Sequence, residues 1–169
     1  MNDCGYPYTF VGIDTAKSDA YQIDTLVYRF ESAKSGHHYE VHVERYLHNL
    51  HCVKFFDDTT DDGTGKFSQL SNTHEPRAIF RTIVEIVLDV LRNNRKASFM
   101  YIGAADKKDK LSQPTRRYRV YKQYMADFDL YEWFEPADFE EYSMCVLANR
   151  EAMPTLDERM TFLNDILAF

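Results

Sequence analysis

The sequence has few cysteines and no long hydrophobic run. There are three cysteines, an odd number, and no two of them form a Cys-x-x-Cys motif: Cys4, Cys52 and Cys145. We therefore expect reduced thiols instead of disulfides or a structural zinc site. No apolar run approaches the roughly 20 residues that span a bilayer. The first residues lack the basic and apolar regions of a secretory signal, so we expect a cytoplasmic protein with no membrane attachment.

Glycine and proline are also sparse, with six and five residues, and no stretch rich in them divides the chain. A length of 169 residues fits one domain. Hydrophobic residues make up 44% of the chain, which is enough apolar surface for a core and excludes a disordered protein. We therefore expect a single domain over 1–169, in which 1–22 form an irregular N-terminal segment with a short strand at 8–11.

Alternation of apolar and polar residues predicts a β-hairpin near the start of the chain. Residues 25–31 and 38–44 alternate on either side of a turn that ends at Gly36. The nearly continuous apolar run at 97–103 predicts an interior strand that helices cover. Further strands are predicted at 52–56, 130–134 and 142–148.

Apolar residues at helical spacing predict three helices. The clearest is 76–92, with Pro76 in its first turn, and a second is expected at 114–128. Thr155 and Glu158 form a capping box for a last helix. Its expected inward residues are Leu156, Met160, Leu163, Ile166 and Leu167. These elements predict an α+β fold with a mixed, largely antiparallel sheet, in the order β-β-β-α-β-α-β-β-α, covered by two or three helices.

This order resembles the core of the GNAT acyltransferases over about residues 25–148. That family binds the pyrophosphate of acyl-CoA on a glycine turn that opens the first central helix. The corresponding residues 71–79 contain no glycine in this sequence. The family also often uses a tyrosine of the later helix as general acid, and the resemblance assigns that role to Tyr121.

The chain also resembles an uncharacterised bacterial family of small domains with no assigned activity. The shared features are two short strand motifs around a glycine turn, a long helix that begins with Pro-Arg, and an Arg-rich helix. The matching residues are Tyr28-Arg-Phe30, Gly36, Tyr39-Glu-Val41, Pro76-Arg77, Asn93-Asn94 and Arg119-Val-Tyr121. This resemblance implies a shape and a bacterial host, and it implies no chemistry.

Histidines and glutamates share one face of the second hairpin strand. His38, Glu40, His42 and Glu44 follow at every second residue, and imidazole and carboxylate groups so spaced can ligate zinc or iron. The solvent face of any antiparallel strand has the same pattern, and no third ligand is fixed by spacing. We expect no metal and no cofactor, and keep His38, Glu40 and His42 as weak metal candidates.

Basic residues concentrate between the predicted interior strand and the second central helix. Residues 95–122 hold nine Lys and Arg against two Asp, although the whole chain has a net charge of −7. Ligands of open α/β sheets bind beyond the carboxyl ends of strands, where helix starts favour anions. The ligand-binding candidates, which we call the basic patch, are Lys107, Lys108, Lys110, Arg116, Arg117 and Arg119. The three arginines cannot all point inward, so at least two should be available to phosphate or carboxylate.

The stretch that follows is acidic, with seven acids and no base over 127–141. The basic residues could pair with this stretch instead of with a ligand. The leading interpretation is a noncatalytic binding or regulatory domain that engages a protein partner or a phosphate-bearing ligand through the basic patch. The alternatives are a divergent GNAT-type acyltransferase that uses Tyr121 and an acidic mimic of nucleic acid formed by 127–141. Nucleic acid is not an expected partner because of the net charge, and a homodimer is left open.

Overall fold

The computed structural model describes residues 4–60, 75–105, 109–110 and 112–169. Lys107 and Lys108 of the basic patch therefore lie outside the described residues, as do residues 71–74 of the segment compared with the acyl-CoA turn. Within the described residues the chain forms a seven-stranded mixed sheet with three α-helices, which confirms the predicted α+β class.

The strands in chain order are β1 (Tyr8–Asp14), β2 (Gln22–Glu31), β3 (His38–Tyr46), β4 (Leu50–Asp57), β5 (Ser98–Ile102), β6 (Phe134–Phe139) and β7 (Met144–Asn149). Their order in the sheet is β1-β2-β3-β4-β5-β7-β6. All neighbours are antiparallel except β4 and β5, which are parallel. The predicted order is thus preceded by one further strand, since β1 extends the short strand expected at 8–11 to Asp14.

The helices are α1 (Pro76–Asn93), α2 (Arg116–Asp127) and α3 (Leu156–Leu167). Helices α1 and α2 cover one face of the sheet, where the apolar face of α1 packs on β2, β3 and β5 and forms the main core. Helix α3 covers the other face over β4 and β7 through Phe162 and Ile166. No helix in the described ranges is long and apolar enough to cross a membrane.

Strand β5 is interior, as predicted, because it lies between β4 and β7. Phe99 and Tyr101 are buried beneath α1 and α2, and Met100 points to the opposite face and packs in the cluster under α3. The apolar run at 97–103 therefore reflects a strand with helices on both of its faces. Only Ile102, at its end, has an exposed side chain.

Two predictions on the C-terminal half are wrong. The strand expected at 130–134 is a 3₁₀ turn at Leu130–Glu132, and β6 begins only at Phe134. The preceding Asp129 adopts a left-handed conformation that ends α2 and turns Leu130 into the core. On α3, Leu156, Met160 and Leu167 are exposed, and the inward residues are Phe162, Leu163 and Ile166.

Candidate ligand-binding site

A cleft opens where the two parallel strands separate. Strands β4 and β5 pair only over three residues each, Leu50–Cys52 with Ser98–Met100, although β4 continues to Asp57. Beyond Cys52 the two strands diverge in the middle of an otherwise continuous sheet. The side chain of Tyr121 from α2 contributes to the wall of this opening.

The cleft has an outer and an inner part. The outer part has a volume of about 210 Å³, and its described lining residues are Cys52, Val53, Lys54, Phe55, Ile102, Ala104 and Tyr121. The inner part is an apolar cavity of about 40 Å³ between the sheet and the helices, and it shares Val53, Phe55 and Tyr121 with the outer part. A cavity of 40 Å³ has room for about one to three water-sized groups. The inner part can therefore receive a narrow apolar group but not a bulky one.

The start of α2 is fixed to the end of β5 by a short chain of hydrogen bonds. Thr115, the N-cap of α2, accepts a bond from the amide of Tyr118 (3.2 Å), and its hydroxyl donates to the carbonyl of Gly103 (2.7 Å). The amide of Thr115 donates to the hydroxyl of Ser143 at 2.9 Å. A Cβ atom on Gly103 would lie 2.3 Å from the backbone nitrogen of Tyr118, so only glycine allows this close approach.

The inward face of α2 places a cation next to a phenol. Arg117 is buried, although the sequence analysis included it in the basic patch. Burial raises the pKa of Tyr121, and the positive charge of Arg117, one helical turn earlier, acts in the opposite direction. At neutral pH Tyr121 is therefore a protonated phenol that can donate a hydrogen bond into the cleft.

The outward face of α2 holds the exposed part of the basic patch: Lys110, Arg116 and Arg119. Within the described part of the chain, Arg116 and Arg119 are the two arginines whose side chains form neither an ion pair nor a hydrogen bond. None of the three exposed cations is among the described residues that line the cleft. The structure therefore separates the four described cations of the basic patch into one inward and three outward side chains.

The amides at the start of α2 are already partly occupied. The carboxylate of Asp109 accepts a hydrogen bond from the amide of Arg116 at 2.9 Å, and the Thr115 hydroxyl accepts from Tyr118. These two groups satisfy donors that we expected to be open to an anionic ligand. Any anion at this helix start must therefore rely on side chains more than on the helix amides.

The acidic stretch is used partly within the fold. Asp138 of β6 accepts hydrogen bonds from the hydroxyl of Tyr118 (2.6 Å) and the ammonium group of Lys122 (3.0 Å). Burial opposes ionisation of Asp138, but these two bonds outweigh it and lower its pKa. Arg150 similarly pairs with Glu135 at 2.6 Å. These pairs reduce the acidic surface proposed to mimic nucleic acid.

The start of α1 contains a buried carboxylate that the sequence analysis missed. Glu75 precedes Pro76, and its carboxylate accepts hydrogen bonds from the hydroxyls of Tyr6 (2.6 Å), Ser32 (2.5 Å) and Ser35 (2.7 Å). It joins the N-terminal segment, the β2–β3 turn and α1 at one point. The three donors are 40 to 69 residues from Glu75 along the chain, so no local sequence pattern predicts these hydrogen bonds. A negative charge thus occupies the start of α1 from within the chain.

The metal candidates do not converge on one point. His42 and Glu40 are in contact at 2.5 Å, but Arg29 also bonds Glu40, and His38 lies 3.9 Å from Glu31 on another strand. Hydrogen bonds from His42 and Arg29 overcome the effect of burial and lower the pKa of Glu40. Among the described residues no group of three or more His, Cys, Asp or Glu side chains could hold a metal ion.

The cysteines are free thiols, as predicted. Cys52 and Cys145 are buried and Cys4 is exposed. Burial raises the pKa of both the Cys52 and the Cys145 thiol to about 12. Neither buried thiol is therefore an effective nucleophile at neutral pH, even though Cys52 borders the cleft.

Comparison of the chain with family models, with curated proteins and with solved structures finds no significant match. The two family resemblances of the sequence analysis therefore stay predictions.

Proposed function

We propose that this chain is a noncatalytic binding domain for a phosphate-bearing ligand, which Lys110, Arg116 and Arg119 hold at the start of α2. The observation that carries the proposal is the exposure of Arg116 and Arg119 and the lack of protein partners for their guanidinium groups among the described residues. The other described arginines contact carboxylates or carbonyls or are buried, whereas these two are exposed and make no side-chain contact of that kind. The proposal includes a cytoplasmic location for the protein and a phosphate group on the ligand.

The chemistry of two neighbouring guanidinium groups favours a planar or multivalent oxyanion. Each guanidinium presents a rigid fork of donors that fits phosphate or carboxylate oxygens in pairs. Because α2 is fixed through Thr115 to Gly103, the backbone that carries both arginines is ordered before a ligand arrives. The loss of freedom on binding is then limited to the side chains, which favours affinity.

The test is a thermal-shift titration of the protein with inorganic pyrophosphate as the probe. We expect pyrophosphate to raise the Tm of the wild-type protein, because a ligand that binds only the folded state stabilises it by mass action. The double variant Arg116→Ala/Arg119→Ala should need at least about tenfold more pyrophosphate for the same rise. Arg116→Lys/Arg119→Lys should lose nearly as much, because lysine keeps the charge but not the fork.

The matched control is Arg92→Ala/Arg95→Ala, which removes the same charge from two exposed arginines that are ion-paired. This variant should respond to pyrophosphate as the wild type does. An equal loss in both double variants would show diffuse attraction and contradict a site at α2. No response in the wild type would exclude a phosphate ligand of this kind and leave a protein partner to be sought with the same variants.

A divergent acyltransferase is the second candidate, and the cleft between β4 and β5 is the observation that favours it. Tyr121, the general acid that the family resemblance assigns, contributes to the wall of this cleft as a protonated phenol. The start of α1 weighs against this candidate. The sequence has no glycine over 71–79, Pro76 lacks an amide donor, and the Glu75 carboxylate would repel a pyrophosphate.

Isothermal titration with acetyl-CoA separates the two candidates. We expect no binding in the micromolar range, which corresponds to about −8 kcal/mol. Saturable binding of acetyl-CoA that Tyr121→Phe leaves intact, together with acyl transfer that this variant loses, would establish the acyltransferase instead. An acidic mimic of nucleic acid is the third candidate, and the pairing of Asp138 and Glu135 with basic side chains weakens it.

A further inference from the structure

The β1 edge of the sheet is exposed and almost uncharged. Between Tyr8 and Ile13 the strand has no charged residue, and only Asp14 follows at its end. Phe10, Val11 and Ile13 are 50%, 49% and 53% exposed. Phe10 and Ile13 pair with Tyr28 and Leu26, so they lie on the face that α1 covers, just beyond the helix. Among the described residues no strand pairs with the outer side of β1, so apolar side chains and unpaired backbone groups meet at this edge.

The opposite edge of the sheet has the features that prevent such pairing. Strand β6 contains Pro136 at its centre, which cannot donate a ladder hydrogen bond, and the charged residues Glu135 and Asp138. Within the described part of the sheet, β1 is thus the edge that lacks protection by charge or proline. Its one irregularity is a bulge between Phe10 and Gly12, which locally disrupts pairing with β2.

We propose that β1 pairs antiparallel with β1 of a second copy of this chain, across a two-fold axis. The strand fits itself because no charged side chain between Tyr8 and Ile13 meets a like charge, although each chain has a net charge of −7. A two-fold axis perpendicular to the sheet continues the α1-covered face of one copy into that of the other. Phe10 and Ile13 of each copy then cover their counterparts.

The same geometry limits the assembly to two copies. Pairing uses the β1 edge of both chains, and the joined sheet ends on both sides at β6 with its proline and acids. An isologous interface that uses the edge of the described sheet without charge or proline closes on itself and cannot extend into a fibre. A contact of one seven-residue strand is small, so we expect a weak dimer that dissociates at micromolar or higher concentrations.

Sedimentation equilibrium tests the proposal. Between concentrations on the order of 10 µM and 1 mM, the average mass of the wild-type protein should rise from 19.9 kDa toward twice that value. Val11→Lys places a charge on the edge and should weaken association by at least about tenfold. The matched control is Leu156→Lys, which makes the same kind of change at a residue of α3 that is 65% exposed, and it should associate as the wild type does.

Hydrogen exchange of the wild-type protein gives a second measurement that needs no variant. The outward amides of Tyr8–Asp14 should exchange more slowly at the high concentration than at the low one, and those of β6 should not change. A protein that stays monomeric at the highest concentration overturns the proposal. So does a dimer that persists in Val11→Lys with its fold intact, or one that forms without added protection of β1.

Discussion

The two helices that cover the same face of the sheet differ in how the charged side chains at their starts are paired. Helix α1 begins at Pro76 next to the buried Glu75 carboxylate, which three hydroxyls from distant segments hold in place. Helix α2 begins at a threonine cap, with the Asp109 carboxylate hydrogen-bonded to the amide of Arg116. The guanidinium groups of Arg116 and Arg119 point to solvent and have no carboxylate partner among the described residues. The charge at the start of α1 is used to join parts of the fold. The charge at the start of α2 is left available to a ligand.

Removal of the charge at the start of α1 should have the largest effect on stability. We expect Glu75→Ala to lower the free energy of unfolding by about 3 kcal/mol, because it leaves the hydroxyls of Tyr6, Ser32 and Ser35 without their acceptor in a buried place. Urea denaturation measures the change. Glu158→Ala, which removes the exposed carboxylate of the α3 capping box, is the control and should lower the free energy of unfolding much less. An equal loss of unfolding free energy in Glu75→Ala and Glu158→Ala would mean that the hydrogen bonds of Glu75 do not stabilise the fold more than a surface cap does.

The contrast between the two helix starts could be predicted only in part from the sequence. Regular patterns gave β2, β3, α1 and β5 within a few residues, because alternation and helical spacing reflect burial against a sheet. The capping box at Thr155 is also present as predicted. The role of Glu75 was not predicted, because its hydrogen-bond partners are far away in the chain. A glutamate before Pro76 forms no recognisable sequence motif. The burial of Arg117 had a signal, since it precedes Tyr121 of the inward seam by one helical turn.

The error at 130–134 has a physical cause as well. The run Leu130-Tyr-Glu-Trp-Phe134 has the aromatic content of a strand, but the left-handed Asp129 turns the chain before pairing can begin. A non-glycine residue in that conformation is uncommon and depends on tertiary contacts such as the burial of Leu130. The exposure of two of the three arginines, by contrast, was predicted from spacing, because three arginines within four residues cannot share one face of a helix.

The attachment of α2 should be the next most sensitive feature. Gly103→Ala should cost about 2 kcal/mol, because the new Cβ would lie 2.3 Å from the Tyr118 nitrogen between two fixed elements. At α1 the comparable change is Gly5→Ala, where the new Cβ would lie 2.7 Å from the Thr82 nitrogen. We expect a smaller cost there, because the approach is less close and Gly5 is joined to α1 by a hydrogen bond to the flexible side chain of Glu85, whereas Gly103 lies between a strand and a helix cap. Thermal unfolding of both variants checks the order, and a larger cost at Gly5 would reverse the comparison.

The cap of α2 allows a narrower test of the same attachment. Thr115→Ala removes both the acceptor for the Tyr118 amide and the donor to the Gly103 carbonyl, and should cost about 1.5 kcal/mol. Thr155→Ala at the exposed cap of α3 is the matched control and should cost about 1 kcal/mol or less. Chemical denaturation compares them. If Thr115→Ala is no more costly than Thr155→Ala, the bond to Gly103 does not secure the start of α2.

The smallest expected effect is the pH dependence of the contact between α2 and β6. The pKa of Asp138 is lowered in the folded protein by Tyr118 and Lys122, so its contribution to stability is present above the unfolded Asp pKa of about 3.9 and is lost as the pH falls through the folded value. Asp138 is 29% exposed, so solvent screens the interaction with Lys122, and we expect Asp138→Asn to cost less than about 1 kcal/mol at pH 7. At a second pH below the unfolded Asp pKa, the variant and the wild type should differ less in stability than at pH 7, because protonation of the wild-type carboxylate removes the charge that the variant lacks. Urea midpoints at the two pH values measure the difference, with Asp127→Asn, whose carboxylate lies 3.9 Å from Arg77, as the control for the loss of one surface charge. A cost for Asp138→Asn that is the same at both pH values would show that shape, and not charge, joins α2 to β6.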